Sequence, residues 1–135
     1  MTVFLADSNV LLDITMEDSV WAAWSQRQID EAARVGRVVI NPVIYAELSL
    51  AYATVEELDL ELAAARLEVC EIPRDALFLA ARVFRAYRRG GGTRIGVLPD
   101  FFIGAHAAVE GMTLITRDLR RRGWFPSLHV IAPLS

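Results

Sequence analysis

The 135-residue chain contains no lysine, and all fourteen of its basic residues are arginine. That absence excludes the P-loop grip on a nucleotide phosphate, so Gly90-Gly91-Gly92 reads as a flexible loop and not a phosphate cradle. Cys70 is the only cysteine. An internal disulfide, a thiolate zinc cluster and a redox pair are therefore excluded, and Cys70 itself reads as a small buried apolar residue. No segment approaches the ~20 uninterrupted apolar residues of a membrane helix. The best candidate, Phe101 to Val109, is short and contains His106. The N-terminus has no basic stretch, and Asp7 breaks the apolar run that a signal peptide would need. A soluble protein in the cytoplasm, with no membrane association, is expected.

What is present is enough apolar residue, 54%, for one core. A chain of this length buries roughly two-thirds of its unfolded surface in a single domain, here taken as residues 1–135. The net charge of −3 hides a segregation. Residues 1–73 carry four Arg against thirteen Asp or Glu, a balance of −9, whereas 74–135 carry ten Arg against four acids, a balance of +6. Arg82, Arg85, Arg88, Arg89 and Arg94 form one cluster, and Arg117, Arg120, Arg121 and Arg122 another. Each could contact phosphates or be a solvated helix face.

Short apolar runs alternate with helical patterns along the chain. Val3–Ala6 reads as a strand, followed by a helix over 9–14 capped by Asp7 or Ser8. A helix from Ser19 to about Val35 stops at Gly36, and Val38–Ile40 is a second buried strand. Asn41-Pro42 is a cap followed by a proline at the first helical position, opening a helix to about Ala53. Thr54-Val-Glu-Glu57 matches a capping box for a helix ending near Leu67, with a third strand over 69–72. Helices over 75–89 and 100–109, and strands over 113–115 and 129–132, complete the pattern. Continuous apolar strands separated by helices predict a parallel α/β sheet covered on both faces.

Ligands collect outside the carboxyl ends of such strands. Asp7 stands at that end of the first strand, and Asp118 just beyond that end of the strand over 113–115. Two acids in a partly dry cleft repel unless something positive lies between them, and a divalent cation is the economical answer. Without a cation, at least one carboxyl pKa should be raised, and Asp100→Asn should relieve the strain. Asp100 alone could be only a helix cap. Glu47 shares a helical row with Val43 and Leu50, which places it on or beside an apolar face, where a carboxylate needs an ion pair or a function. Asn9 could stabilise the turn after Asp7, and Thr116 could simply end a strand.

Taken together, Asp7, Glu47, Asp100 and Asp118, supported by Asn9 and Thr116, resemble the active site of the PIN-domain ribonucleases, in particular the VapC toxins of toxin–antitoxin pairs. The resemblance runs the length of the chain through "LADSN", "PVIYAELS", "VLPDFFIGAHA", "LITRD" and "WFPSLHVIAP". It implies a PIN-like three-layer α/β sandwich with a mostly parallel sheet of four to five strands. It also implies endonucleolytic cleavage of RNA dependent on Mg²⁺ or Mn²⁺, a homodimer, and a small VapB-like antitoxin that blocks the groove. On that reading the four acids hold metal, directly or through water, and Asn9 and Thr116 orient them, while Arg117, Arg120, Arg121 and Arg122 are candidate RNA contacts. The chain departs from many relatives where Leu119-Arg120-Arg121 replaces a further acid and an aromatic, and where His106 replaces a small apolar residue. His106 reads as a core or groove histidine. Trp21, Trp24 and Tyr52 could meet partners, although core packing is the simpler role.

Two rivals remain. "DSN" after a first strand resembles the nucleophile motif of aspartyl-phosphate phosphatases, but those enzymes rely on a lysine near the phosphate, and this chain has none. A non-catalytic PIN-like protein-binding module with a relic acidic pocket is the other.

Overall fold

The computed structural model describes residues 1–94 and 96–133. Five strands, β1 (Thr2–Ala6), β2 (Gly36–Ile40), β3 (Glu68–Val69), β4 (Thr113–Ile115) and β5 (His129–Ile131), form one sheet in the order β3-β2-β1-β4-β5. Every pairing is parallel. Among the described residues, seven α-helices pack around the sheet: α1 (Ser8–Thr15), α2 (Ala22–Val35), α3 (Pro42–Leu48), α4 (Val55–Ala64), α5 (Arg74–Arg89), α6 (Leu98–Glu110) and α7 (Arg120–Trp124). The expected α/β architecture is thus present, with its sheet wholly parallel. Leu5, Val39, Ile40, Leu114 and Ile115 are fully buried strand residues, which explains why the strands read as unbroken apolar runs. No helix among the described residues is long and apolar enough to cross a membrane.

Local chemistry sets most boundaries. Asn41 caps α3 by accepting from the Ile44 amide at 2.9 Å, with Pro42 following, and Thr54 accepts from the Glu57 amide at 3.1 Å to start α4. The reciprocal half of the capping box is displaced by one residue, since the Glu57 carboxylate takes the Ala53 amide. Gly111, at φ 66°, closes α6 in the left-handed conformation that favours glycine.

Several boundaries differ from expectation. Helix α2 begins at Ala22 and not Ser19, because the Asp18 carboxylate captures the Val20 and Trp21 amides in a turn. The helix after Asn41 ends at Leu48, and a 3₁₀ turn (Ser49–Ala51) continues it. The third strand is Glu68–Val69, paired only with Val39 and Ile40. Cys70 beyond it is half-buried and not buried. Helix α7 lies where no element was expected. His106 is a core residue whose Nδ1 stands 3.1 Å from the Asn41 side-chain nitrogen, and burial pushes its pKa down. Trp24 and Tyr52 are partly buried against the core.

The strand order fixes where a ligand site belongs. From β1 the chain builds outward to β2 and β3, then returns to the other side of β1 as β4. The switch point therefore lies between β1 and β4. Ala6 is in register with Ile115, so Asp7 and Thr116, the next residues, leave the sheet side by side.

Candidate active site

The Asp7 side chain is the anchor of this switch point and is only 1% exposed. Its Oδ1 accepts from the Ser8 amide at 2.8 Å, so the residue also caps α1. Its Oδ2 accepts from the Thr116 hydroxyl at 2.6 Å and from Asn9 Nδ2 at 3.4 Å. Thr116 is itself fully buried, and its oxygen receives the Asp118 amide at 3.0 Å and Asn9 Nδ2 at 3.3 Å. Asn9 Oδ1 accepts from the Arg117 amide at 3.2 Å. Asn9 and Thr116 thus tie the turn after β1 to the turn after β4.

The other acids arrive from three directions. Glu47, half-buried on α3, accepts from the Ser8 hydroxyl at 2.9 Å. Of its expected row-mates, Val43 is half-buried but Leu50 is exposed, so the carboxylate sits at the edge of the apolar face. Asp100, in the first turn of α6, does not act as a side-chain cap; its carboxylate points to α7. Asp118 closes the group from the loop after β4. The four predicted acids and their two predicted supports therefore occupy one site.

At its centre stands a group not anticipated there, the guanidinium of Arg121. It is 2% exposed and the largest fully buried side chain. Nη1 lies 2.9 Å from Asp7 Oδ2, 3.1 Å from Thr116 Oγ1 and 3.6 Å from Asp118 Oδ2, while Nη2 donates to Asp100 Oδ1 at 2.7 Å. Among the described buried side-chain polar atoms only Arg121 Nε lacks a hydrogen-bond partner, a loss of about 1–3 kcal/mol for a stranded donor. Arg120 forms a close ion pair with Asp118 and stands 3.7 Å from Asp100.

Three of the four candidate RNA contacts, Arg117, Arg120 and Arg121, are engaged with carboxylates of the chain itself. Arg117 forks onto the buried Asp13 at 2.7 and 3.0 Å, and Asp13 also accepts from Ser25 at 2.9 Å. Arg120 and Arg121 turn into the carboxylate cluster because that is where uncompensated negative charge is buried. Arg120 and Arg122 are both exposed, and of the two only Arg122 lies away from the acids, donating to the Val130 carbonyl at 3.3 Å. Asp13 and Ser8 were also missed as parts of this network. Asp13 lies one helical turn after Asn9, a spacing that places both on one face of α1.

The charge of the site decides what it can hold. By formal charge, four carboxylates against Arg120 and Arg121 sum to −2, the charge that one divalent cation offsets. Burial is the main cause pushing the Glu47 and Asp100 pKa values up, neighbouring carboxylates add to it, and Arg121 opposes it. The raised pKa values expected of clustered acids are present, but desolvation and not mutual repulsion leads. The donors are all oxygen, which suits a hard cation such as Mg²⁺ or Mn²⁺. No three Asp, Glu, His or Cys side chains among the described residues are drawn together around a common point. The all-oxygen donor set suits a divalent ion by chemistry, and the Arg121 guanidinium lies between Asp7 and Asp100.

The PIN domain family profile matches residues 4–122. No curated protein sequence matches the chain. Among solved structures, VapBC2 from Rickettsia felis, bound to a DNA fragment from its promoter, superposes with a TM-score of 0.72 at 18% identity, covering 97% of this chain and 98% of that one. A toxin–antitoxin complex from Klebsiella pneumoniae gives 0.69 at 18%, covering 99% and 98%. VapBC-5 of the VapBC toxin–antitoxin family, from Mycobacterium tuberculosis, gives 0.61 at 24%, covering 98% and 100%. At these identities the likeness is one of fold.

Proposed function

The chain belongs to the PIN domain family, and from that premise we propose that it is a metal-dependent endoribonuclease, the toxin of a VapBC-type pair. The observation that carries this reading is the convergence of Asp7, Glu47, Asp100 and Asp118 at the β1/β4 switch point of a chain without lysine or thiol chemistry. Asp7, Asp100 and Asp118 would hold Mg²⁺ or Mn²⁺, with Glu47 joining directly or through water. When bound, such an ion supplies an activated water and offsets charge developing on the phosphodiester. Thr116 and Asn9 hold the Asp7 carboxylate in one orientation, and Ser8 does the same for Glu47. The RNA backbone would meet the exposed arginines Arg82, Arg85, Arg88, Arg89 and Arg94, together with Arg122. The fold shared with toxin–antitoxin complexes supports a small VapB-like antitoxin as partner, and a homodimer is part of the same reading.

A second reading rests on Arg121. A pocket in which the chain's own arginines already pair with three of the four carboxylates also suits a non-catalytic binding module. The two separate on turnover. Protein freed of any partner should cleave structured RNA with Mg²⁺ or Mn²⁺, stop with EDTA, and lose most activity on Asp7→Asn, which keeps the shape of the side chain and removes its charge. Equal cleavage in EDTA, or an active D7N protein of native fold, refutes the nuclease assignment.

A further inference from the structure

Two oxygens that face each other across the site, one on Asp7 and one on Asp100, are already engaged by the same guanidinium. A carboxylate oxygen offers about two lone-pair directions, and Asp7 Oδ2 receives the Thr116 hydroxyl at 2.6 Å and Arg121 Nη1 at 2.9 Å, with Asn9 behind at 3.4 Å. Asp100 Oδ1 is taken by Arg121 Nη2 at 2.7 Å. Of these donors only Arg121 is a cation, and only it links both acids. Thr116 and Asn9 are fixed by further hydrogen bonds to the Asp118 and Arg117 amides. An ion held between Asp7 and Asp100 through these two oxygens would therefore compete with the guanidinium.

We propose that Arg121 is a built-in counter-ion that a divalent cation displaces from Asp7 and Asp100, so that this one side chain sets the metal affinity of the site. The proposal rests on the metal-site reading above and deepens it.

The backbone after Arg121 is anchored against α6. Helix α7 is pinned at its far end, where Trp124 stacks on Phe101 with ring centroids 4.0 Å apart and Phe125 is buried. Residue 104 must be glycine for that packing, since a Cβ there would lie 2.6 Å from the Phe125 ring. The exchange we propose is therefore a rotation of the Arg121 side chain about an anchored Cα. Its Nε, without a partner, gives the inward position one bond fewer than a saturated guanidinium would have. The inward arrangement compensates the buried acids when no metal is present and yields to an ion that compensates them better.

Isothermal titration of the whole chain with Mn²⁺ and no RNA tests this directly. Arg121→Gln should bind Mn²⁺ at least tenfold more tightly than wild type, and its melting temperature should fall in EDTA but rise more than wild type's when Mn²⁺ is added. Arg121→Lys keeps the charge but cannot fork onto two carboxylates, and should tighten binding by a smaller factor. It serves alone if the glutamine variant does not fold. Mn²⁺ affinity equal to or below wild type in a folded variant overturns the proposal, because Arg121 would then be organising the acids and not competing for them. Cleavage is scored separately. Tighter Mn²⁺ binding by R121Q with no RNA cleaved by any form leaves the counter-ion in place and removes the nuclease reading. Cleavage that Asp7→Asn abolishes, with unchanged Mn²⁺ affinity in R121Q, does the reverse.

Discussion

Replacing Thr116 by valine isolates the part of the site that does positioning and nothing else. The side chain keeps its branched shape in a fully buried position, but the hydroxyl that donates to Asp7 at 2.6 Å and receives the Asp118 amide at 3.0 Å is lost. The first is a hydrogen bond to a charged acceptor, worth about 1.5–3 kcal/mol, and stranding the amide adds roughly 1 kcal/mol. Arg121 Nη1 keeps Asp7 as a partner, so its loss is small. The sum is about 2–4 kcal/mol, a fall of ~6–12 °C in melting temperature at ~3 °C per kcal/mol for a domain of this size. Metal affinity and cleavage should fall with it, by roughly 10–100-fold, because Asp7 is free to rotate. Thr116→Ser restores the hydroxyl and should recover most of both losses. Urea unfolding, Mn²⁺ titration and RNA cleavage on the three proteins supply the test. A valine variant within ~0.5 kcal/mol of wild type, the range of an ordinary surface change, with cleavage intact, would mean that the hydroxyl orients nothing.

Burial raises the Glu47 pKa from its ordinary value of 4.5, so the folded state holds that proton more tightly than the unfolded chain. The stability this contributes is full below the unfolded pKa and lost as pH rises through the folded value. Glu47→Gln should therefore melt higher than wild type at pH 7 in EDTA and lose that advantage by about pH 4; a difference that does not change with pH refutes the burial argument. Neutralising Arg88, Arg89 and Arg94 together, all exposed, should weaken RNA binding and reduce the slope of log affinity against log salt by up to about 2, at ~0.7 per phosphate contact to a single strand. A filter-binding series with an unchanged slope would assign that face to solvent.

The acids were legible because each sits at a position that sequence pattern can locate. Asp7 follows a strand, Asp100 follows a helix-opening proline, Asp118 follows another strand, and Glu47 falls beside an apolar row. Strand-end carboxylates converge wherever the sheet is parallel, so topology does the remaining work. The arginines were not legible for the opposite reason. Arg120-Arg121-Arg122 is a uniform run, and only the tertiary fold decides that the first covers Asp118, the second is buried and the third faces solvent. Helix α7, five residues long, is too short for a 3.6-residue period to emerge. The Arg117–Asp13 pair joins residues 104 apart in sequence, and neither carries a mark that distinguishes it from a solvated charge.

The same arginine changes the physics expected of the metal-free site. Mutual repulsion among four carboxylates was the premise for expecting Asp100→Asn to relieve strain, and it required nothing positive between them. The structure places Arg121 against Asp7 and Asp100, and Arg120 against Asp118. Removing the Asp100 charge therefore relieves repulsion from Asp7 and Asp118 and at the same time discards a 2.7 Å ion pair. The two effects oppose each other, so the melting temperature of that variant no longer diagnoses a shared cation site. Glu47 has no such pair; its one side-chain hydrogen bond comes from the Ser8 hydroxyl, which an amide oxygen can also accept. Among the four acids it is Glu47 whose protonation reports burial and neighbouring charge with least interference, and for that reason the pH test belongs on Glu47 and the competition test on Arg121.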